Sequence, residues 1–141
     1  MANDGGDFAR SMSIATSGLR AQAGRMRVIS ENIANADSTA STAGGEPYRR
    51  KVPTFSSALD RMLDAKVVAL GKIRPDPSAF RVKHDPGNPA ADAAGNVKYP
   101  NVNPLVEMTD MREAQRSYEA NLNIISATRR MIQRTLDILK A

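Results

Sequence analysis

The chain has 141 residues, a formal net charge of +5, 41% apolar and 4% aromatic residues, and neither Cys nor Trp. This excludes a disulfide framework, a thiolate metal site and a cysteine nucleophile, and the scarcity of aromatics argues against a large enzyme-like core around a deep pocket. Lys plus Arg outnumber Asp plus Glu by 4 to 3 over residues 1–36, 10 to 7 over 37–102 and 6 to 5 over 103–141, so the basic excess describes a solvated mixed surface rather than a polyanion-binding face.

Residues 1–7 include Asn3, Asp4, Gly5 and Gly6 and are expected to form a disordered leader. They carry no basic stretch followed by a continuous apolar run, so no ordinary cleavable signal is expected, and no run of about 18 apolar residues marks a membrane span. From Asp7 or Phe8 to about Asn35 a helix is predicted. Its apolar stripe steps by four and three through Phe8, Met12, Ala15, Leu19, Gln22, Met26, Ile29, Ile33 and Ala36, the spacing of a heptad. Gly18 and Gly24 inside it each cost about 1 kcal/mol relative to Ala. Either they let a partner come close or a packed bundle tolerates them.

The pattern changes in the middle. Val52 to Phe55 reads as extended, 56–65 as a short helix with Leu59, Met62 and Leu63 on one side, and 66–74 and 80–84 as alternating strands joined by a turn over 74–79. Asp85-Pro86-Gly87-Asn88-Pro89 is a breaker, and 97–99 reads as a short edge strand. The runs 37–45 and 86–96 lack periodicity and are expected to order only in an assembled state. A second helix is then predicted from Asn103, a good N-cap, and Pro104, which suits the first helical position, with Thr109 and Asp110 as an alternative start. Its stripe runs Met108, Met111, Gln115, Tyr118, Leu122, Ile125, Arg129, Ile132, Leu136 and Leu139, interrupted by Gln115 and Arg129. Arg129 is expected to face a polar or acidic partner.

No constellation for catalysis emerges. His84 is the only histidine, so a His-based triad or multi-His metal site is excluded within one chain. Gly44 and Gly45 lack the Lys and Ser/Thr of a phosphate loop. Tyr48, Arg49, Arg50 and Lys51 form a compact basic cluster that reads as a solvated or partner-facing loop, because further stacking aromatics for a nucleic acid are missing. No catalytic, cofactor-binding or metal residue is expected. The fold class is mainly α in a single domain over 1–141: an N-terminal helix (1–36), a loop and small β segment (37–102) and a C-terminal helix (103–141), the helices packed as a coiled-coil-like pair. Assembly is the expected function, through Leu19, Met26, Ile29, Asn32, Ile33 and Asn35 on the first helix and Met111, Tyr118, Leu122, Ile125, Arg129, Ile132 and Leu136 on the second. Asn32 and Asn35 are expected to cap the first helix or hold the turn after it.

Ser17-Gly18-Leu19-Arg20-Ala21-Gln22 and Val28-Ile29-Ser30-Glu31-Asn32-Ile33-Ala34-Asn35-Ala36-Asp37 resemble the N-terminal signature of the bacterial flagellar rod and hook proteins. The run from Glu107 through Met108-Thr109-Asp110-Met111-Arg112-Glu113 to Asn121 is similar to the C-terminal signature of that family. Gly44 to Lys51, Asp85 to Pro89 and Tyr99 to Asn103 resemble the middle of one short proximal-rod member more than that of its sister. The resemblance implies a non-catalytic rod subunit of the basal body, crossing the periplasm after type III export without a cleavable signal. It implies self-association in a helical tube, with other rod proteins, the rod adaptor and the inner-membrane ring protein as partners, and no nucleic acid. A soluble coiled-coil adaptor or export chaperone, also two helices without a site, is the second reading.

Overall fold

The computed structural model describes residues 4–140. Its elements are α1 (Asp4–Ala34), β1 (Lys51–Val52), β2 (Phe55–Asp60), β3 (Ala65–Leu70), β4 (Arg74–Pro75), β5 (Arg81–His84), β6 (Asn96–Tyr99) and α2 (Pro104–Lys140). Two long helices near the ends thus enclose a middle segment of short strands. These pair antiparallel as three two-stranded ladders, β1 with β4, β2 with β3 and β5 with β6. The helix starts a turn earlier than the composition suggests, taking in Gly5 and Gly6; the first three residues of the expected leader lie outside the described residues.

The chain forms two compact units, each drawing on both helices. The first contains α1 up to Met26, residues 54–72 and α2 from Glu113. Here the helical segments run antiparallel, since Gly18 faces Asn121 while Arg25 reaches Glu113 at 3.6 Å. Both helix glycines serve close approach. A Cβ on Gly18 would lie 2.8 Å from the Asn121 side chain, and one on Gly24 would lie 2.7 Å from Leu70. The helical propensity forgone at these positions is offset by tighter packing against α2 and β3.

The predicted helix over 56–65 is instead β2 and the turn that follows it. Phe55 through Asp60 register against Leu70 through Ala65, so Ser57 faces Val68 and Ala58 faces Val67. The β-branched partners reward an extended chain more than three apolar residues reward a lone short helix. Asp60 then closes the turn, its Oδ1 accepting the Met62 N–H at 3.0 Å, and Asp64 takes a left-handed φ of 47°. Arg10 ties this turn to α1 through Leu63 O at 2.7 Å.

The second unit contains residues 27–53 and 73–112. The expected turn over 74–79 is partly strand: Arg74 and Pro75 pair with Val52 and Lys51. The edge strand expected over 97–99 is β6, zipped to β5. The runs 37–45 and 86–96, expected to order only on assembly, are bonded within the chain. Gly44 N–H donates to Ala90 O, Asn88 Oδ1 accepts from Ala90, and Asp92 Oδ1 accepts from Ala94 and Asn96. Asn103 caps α2 as its sequence predicts, with Oδ1 accepting the Leu105 N–H at 3.1 Å ahead of Pro104 at the first position.

Candidate functional site

The second predicted stripe is rotated relative to the covered face of its helix. Met111, Tyr118, Ile125 and Ile132 are buried or half-buried, but they alternate with Glu107, Ala114, Asn121 and Thr128 rather than with Met108, Gln115, Leu122 and Arg129. The latter four and Leu136 are all exposed. The interruptions at Gln115 and Arg129 therefore fall on a solvent-facing column. On α1 the predicted stripe is covered throughout: Ala15, Ile29 and Ala36 are buried, and Leu19, Met26 and Ile33 half-buried.

Away from its covered face, α2 keeps large apolar side chains in the open. Leu122 is 46% exposed, and Ile124, Met131 and Ile138, spaced by sevens, are exposed to 47%, 48% and 76%. In the first unit Phe8, Ala9 and Met12 also join Ile132, Thr135 and Leu136 around an almost wholly apolar groove of about 400 Å³.

In the second unit the asparagine and glutamate of the two signatures meet. Glu107, in the first turn of α2 and 1% exposed, accepts from Arg50 Nε at 2.6 Å and from Asn32 Nδ2 at 3.0 Å. Asn32 uses its whole amide. Nδ2 also donates to Lys51 O at 2.8 Å, and Oδ1 accepts from Lys51 N–H and from the Tyr48 hydroxyl, both at 2.9 Å. It is a cross-link between α1 and β1, not a helix cap. At the helix end Asn35 Nδ2 donates to Glu31 O at 2.8 Å. The Arg50 guanidinium continues to Asp76 at 3.2 Å and Asp110 at 3.8 Å, and its backbone N–H to Asn101 Oδ1 at 2.8 Å.

The basic cluster thus faces inward. Arg49 lies over the Phe80 ring and donates to Asp76 O and Ser78 O, while Lys51 pairs with Glu31. The Ser78 backbone N–H and hydroxyl, with Arg50, hold the Asp76 carboxyl below its ordinary range. What hid this cluster in the sequence is its sequence separation: Asn32, Arg50 and Glu107 come from three segments, and each has a plausible local role. Among the described residues no group of His, Asp and Glu is placed to hold a metal, and no helix is long and apolar enough to cross a membrane.

Burial, then the negative charges of Glu31 and Glu107, push the Tyr48 hydroxyl from 10.0 up to about 12. A raised folded-state value favours the neutral phenol, so its contribution is complete below pH 10 and lost as pH rises through about 12. Urea unfolding midpoints are expected to fall over that window in the wild type and less steeply in Tyr48→Phe. Parallel curves would overturn the assignment.

Residues 12–40 match the family described as flagella basal body rod protein, and residues 93–138 the flagellar basal body rod FlgEFG protein C-terminal family. The flagellar basal-body rod protein FlgC of Agrobacterium fabrum is 55% identical over 128 residues, spanning 91% of this chain and 92% of that one. The chain belongs to the FlgC family. The FlgC of Bacillus subtilis is 41% identical over 92% of this chain and 97% of its own, and that of Aquifex aeolicus 40% identical over 95% and 98%. Membership of the FlgC family makes the chain a structural rod subunit of the flagellar basal body. The matched spans contain both Asn32 and Glu107, the two ends of the buried cluster.

Proposed function

We propose that the chain is a non-catalytic subunit of the proximal rod, assembling helically through its terminal helices. In this reading α1 and α2 pair in coiled-coil fashion, and the apolar side chains left outside that pair pack against neighbouring subunits. The observation that carries it is that α2 leaves Leu122 on one flank and Ile124, Met131 and Ile138 on another uncovered, in addition to the apolar Phe8/Ile132/Leu136 groove. Soluble monomers rarely leave such surface open without a partner. Burying each large side chain contributes about 1.5–3 kcal/mol. Two unlike surfaces on one chain favour a heterologous contact, which repeats without closing and so builds a filament.

The proposed interface comprises Leu19, Met26, Ile29, Asn32, Ile33 and Asn35 on α1 with Met111, Tyr118, Leu122, Ile125, Arg129, Ile132 and Leu136 on α2. The covered members set the pairing of the helices, and the open ones meet neighbours. Its partners are other rod proteins, the rod adaptor, the inner-membrane ring protein and, on the way out of the cell, the flagellar type III export apparatus. In this reading the subunit takes its place in the rod that crosses the periplasm. Electron microscopy of basal bodies from an in-frame deletion tests this. Rings without a complete rod and hook, restored by a plasmid copy, are expected; complete rods and hooks in the deletion would overturn the reading.

A further inference from the structure

The turn between β2 and β3 carries an apolar side chain that its own fold leaves in solvent. Met62 at its tip is 95% exposed, the highest value among the exposed large apolar residues described. The tip is nonetheless fastened. Asp60 Oδ1 accepts the N–H groups of Met62 at 3.0 Å and Leu63 at 3.4 Å, and Arg10 Nε donates to Leu63 O at 2.7 Å, which ties the turn to α1. Met62 is thus a pre-positioned projection rather than part of a loose loop, and ordering it on a partner costs little backbone entropy.

The same unit contains a depression of matching chemistry. Phe8, Ala9 and Met12 of α1 and Ile132, Thr135 and Leu136 of α2 line the groove of about 400 Å³, and the one hydroxyl among them, on Thr135, is satisfied within its helix by Met131 O at 3.0 Å. An unbranched, polarisable thioether adapts to such an irregular apolar surface better than any other side chain. Charge matches as well. The turn over 60–64 has Asp60 and Asp64 against Arg61, whereas α2 along the groove, over 129–140, has Arg129, Arg130, Arg134 and Lys140 against Asp137. Asp64 and Arg129 are both exposed, and among the described residues neither forms an ion pair. Arg129 stands in the exposed column of α2 that leads to the groove residue Leu136. An acidic turn with an apolar tip therefore complements an apolar groove with a basic border.

We infer that Met62 of one copy of this chain docks in the Phe8/Met12/Leu136 groove of a second copy, with Asp64 of the first facing Arg129 of the second. This contact rests on the rod reading and gives its groove an occupant. Projection and groove are different surfaces, so each copy offers one and receives the other. The contact is heterologous, and it forms as a subunit joins the growing array rather than by closing a pair beforehand.

The test is made in assembled basal bodies from a deletion strain that expresses two versions of the full chain, one with Met62→Cys and one with Thr135→Cys. The chain has no native cysteine, so a mixed disulfide formed under mild oxidation reports the two positions meeting between copies. That disulfide is expected, with none when either version is expressed alone. Met62→Asp is expected to lower the number of basal bodies with complete rods at least tenfold while leaving the melting temperature of the purified chain unchanged, because residue 62 is almost wholly exposed; Met62→Leu should keep the rods. Three results would each overturn the inference and leave the rod reading standing: complete rods containing both cysteine versions but no mixed disulfide, complete rods in normal number with Met62→Asp, or a photoreactive side chain at position 62 that labels a different rod protein instead of this chain. Complete rods in the deletion strain itself would overturn the rod reading instead.

Discussion

Glu107→Ala is expected to destabilise the protein by about 3–5 kcal/mol, lowering the melting temperature by roughly 10–20 °C. The carboxylate is 1% exposed and bonded on both oxygens, to Arg50 Nε and Asn32 Nδ2. Its removal leaves a guanidinium half-paired in a covered site and an amide donor short of a partner. The loss is large because the partners remain: Arg50 keeps only Asp76 and the more distant Asp110, and the Asn32 amide donor loses a buried acceptor, which costs more than the intact contacts contribute. Glu107→Gln should fall between, since its amide oxygen still accepts one bond but its NH₂ confronts the other donor. Thermal unfolding followed by circular dichroism checks both, and an Ala variant melting within a degree or two of the wild type would sink the account. Burying the same carboxylate at the positive end of α2 adds a favourable dipole contact that alanine also forfeits.

The second large effect separates assembly from folding on one helix. Leu122→Asp is expected to abolish rod assembly while changing the stability of the isolated chain by about 1 kcal/mol at most, because Leu122 is 46% exposed. Ile125→Asp, three residues on and buried, should instead unfold the first unit, since an unpaired carboxylate there costs several kcal/mol. Chemical denaturation of each purified variant, beside electron microscopy of basal bodies from complemented deletion strains, distinguishes the two outcomes. Normal rods built from Leu122→Asp chains would remove Leu122 and its flank of α2 from the interface.

How far the residues themselves foretell these sites depends on whether the signal is local. Both long helices are legible, because a heptad stripe over several turns and an Asn-Pro start are repeated, short-range cues. The rotation of the covered face of α2 was present too, in Gln115 and Arg129. A stripe interrupted twice in the same heptad position is one whose true register lies one residue away, with Ala114 and Thr128 beneath the partner. The β2–β3 hairpin was not legible, since Ser56 to Leu63 satisfies helical spacing and only pairing with Val67 and Val68 decides for strand. The buried cluster was hidden for a related reason. Asn32 reads as a cap or turn residue and Arg50 as part of a solvated or partner-facing basic run, while nothing local to Glu107 marks it as buried. Only their meeting, across 75 residues between Asn32 and Glu107, makes them one structure.

The interleaving of the two units has a kinetic consequence. One is assembled from residues up to 26, 54–72 and 113 onward, the other from 27–53 and 73–112, so neither is encoded by a continuous stretch. A nascent chain that has not yet emerged past Asn103 lacks Glu107 for the one and the whole α2 segment for the other. Stable tertiary structure must therefore wait for the last quarter of the polypeptide, and the loop-closure entropy is met late and all at once. Such a chain folds after synthesis rather than during it, and until then it remains a pliable thread.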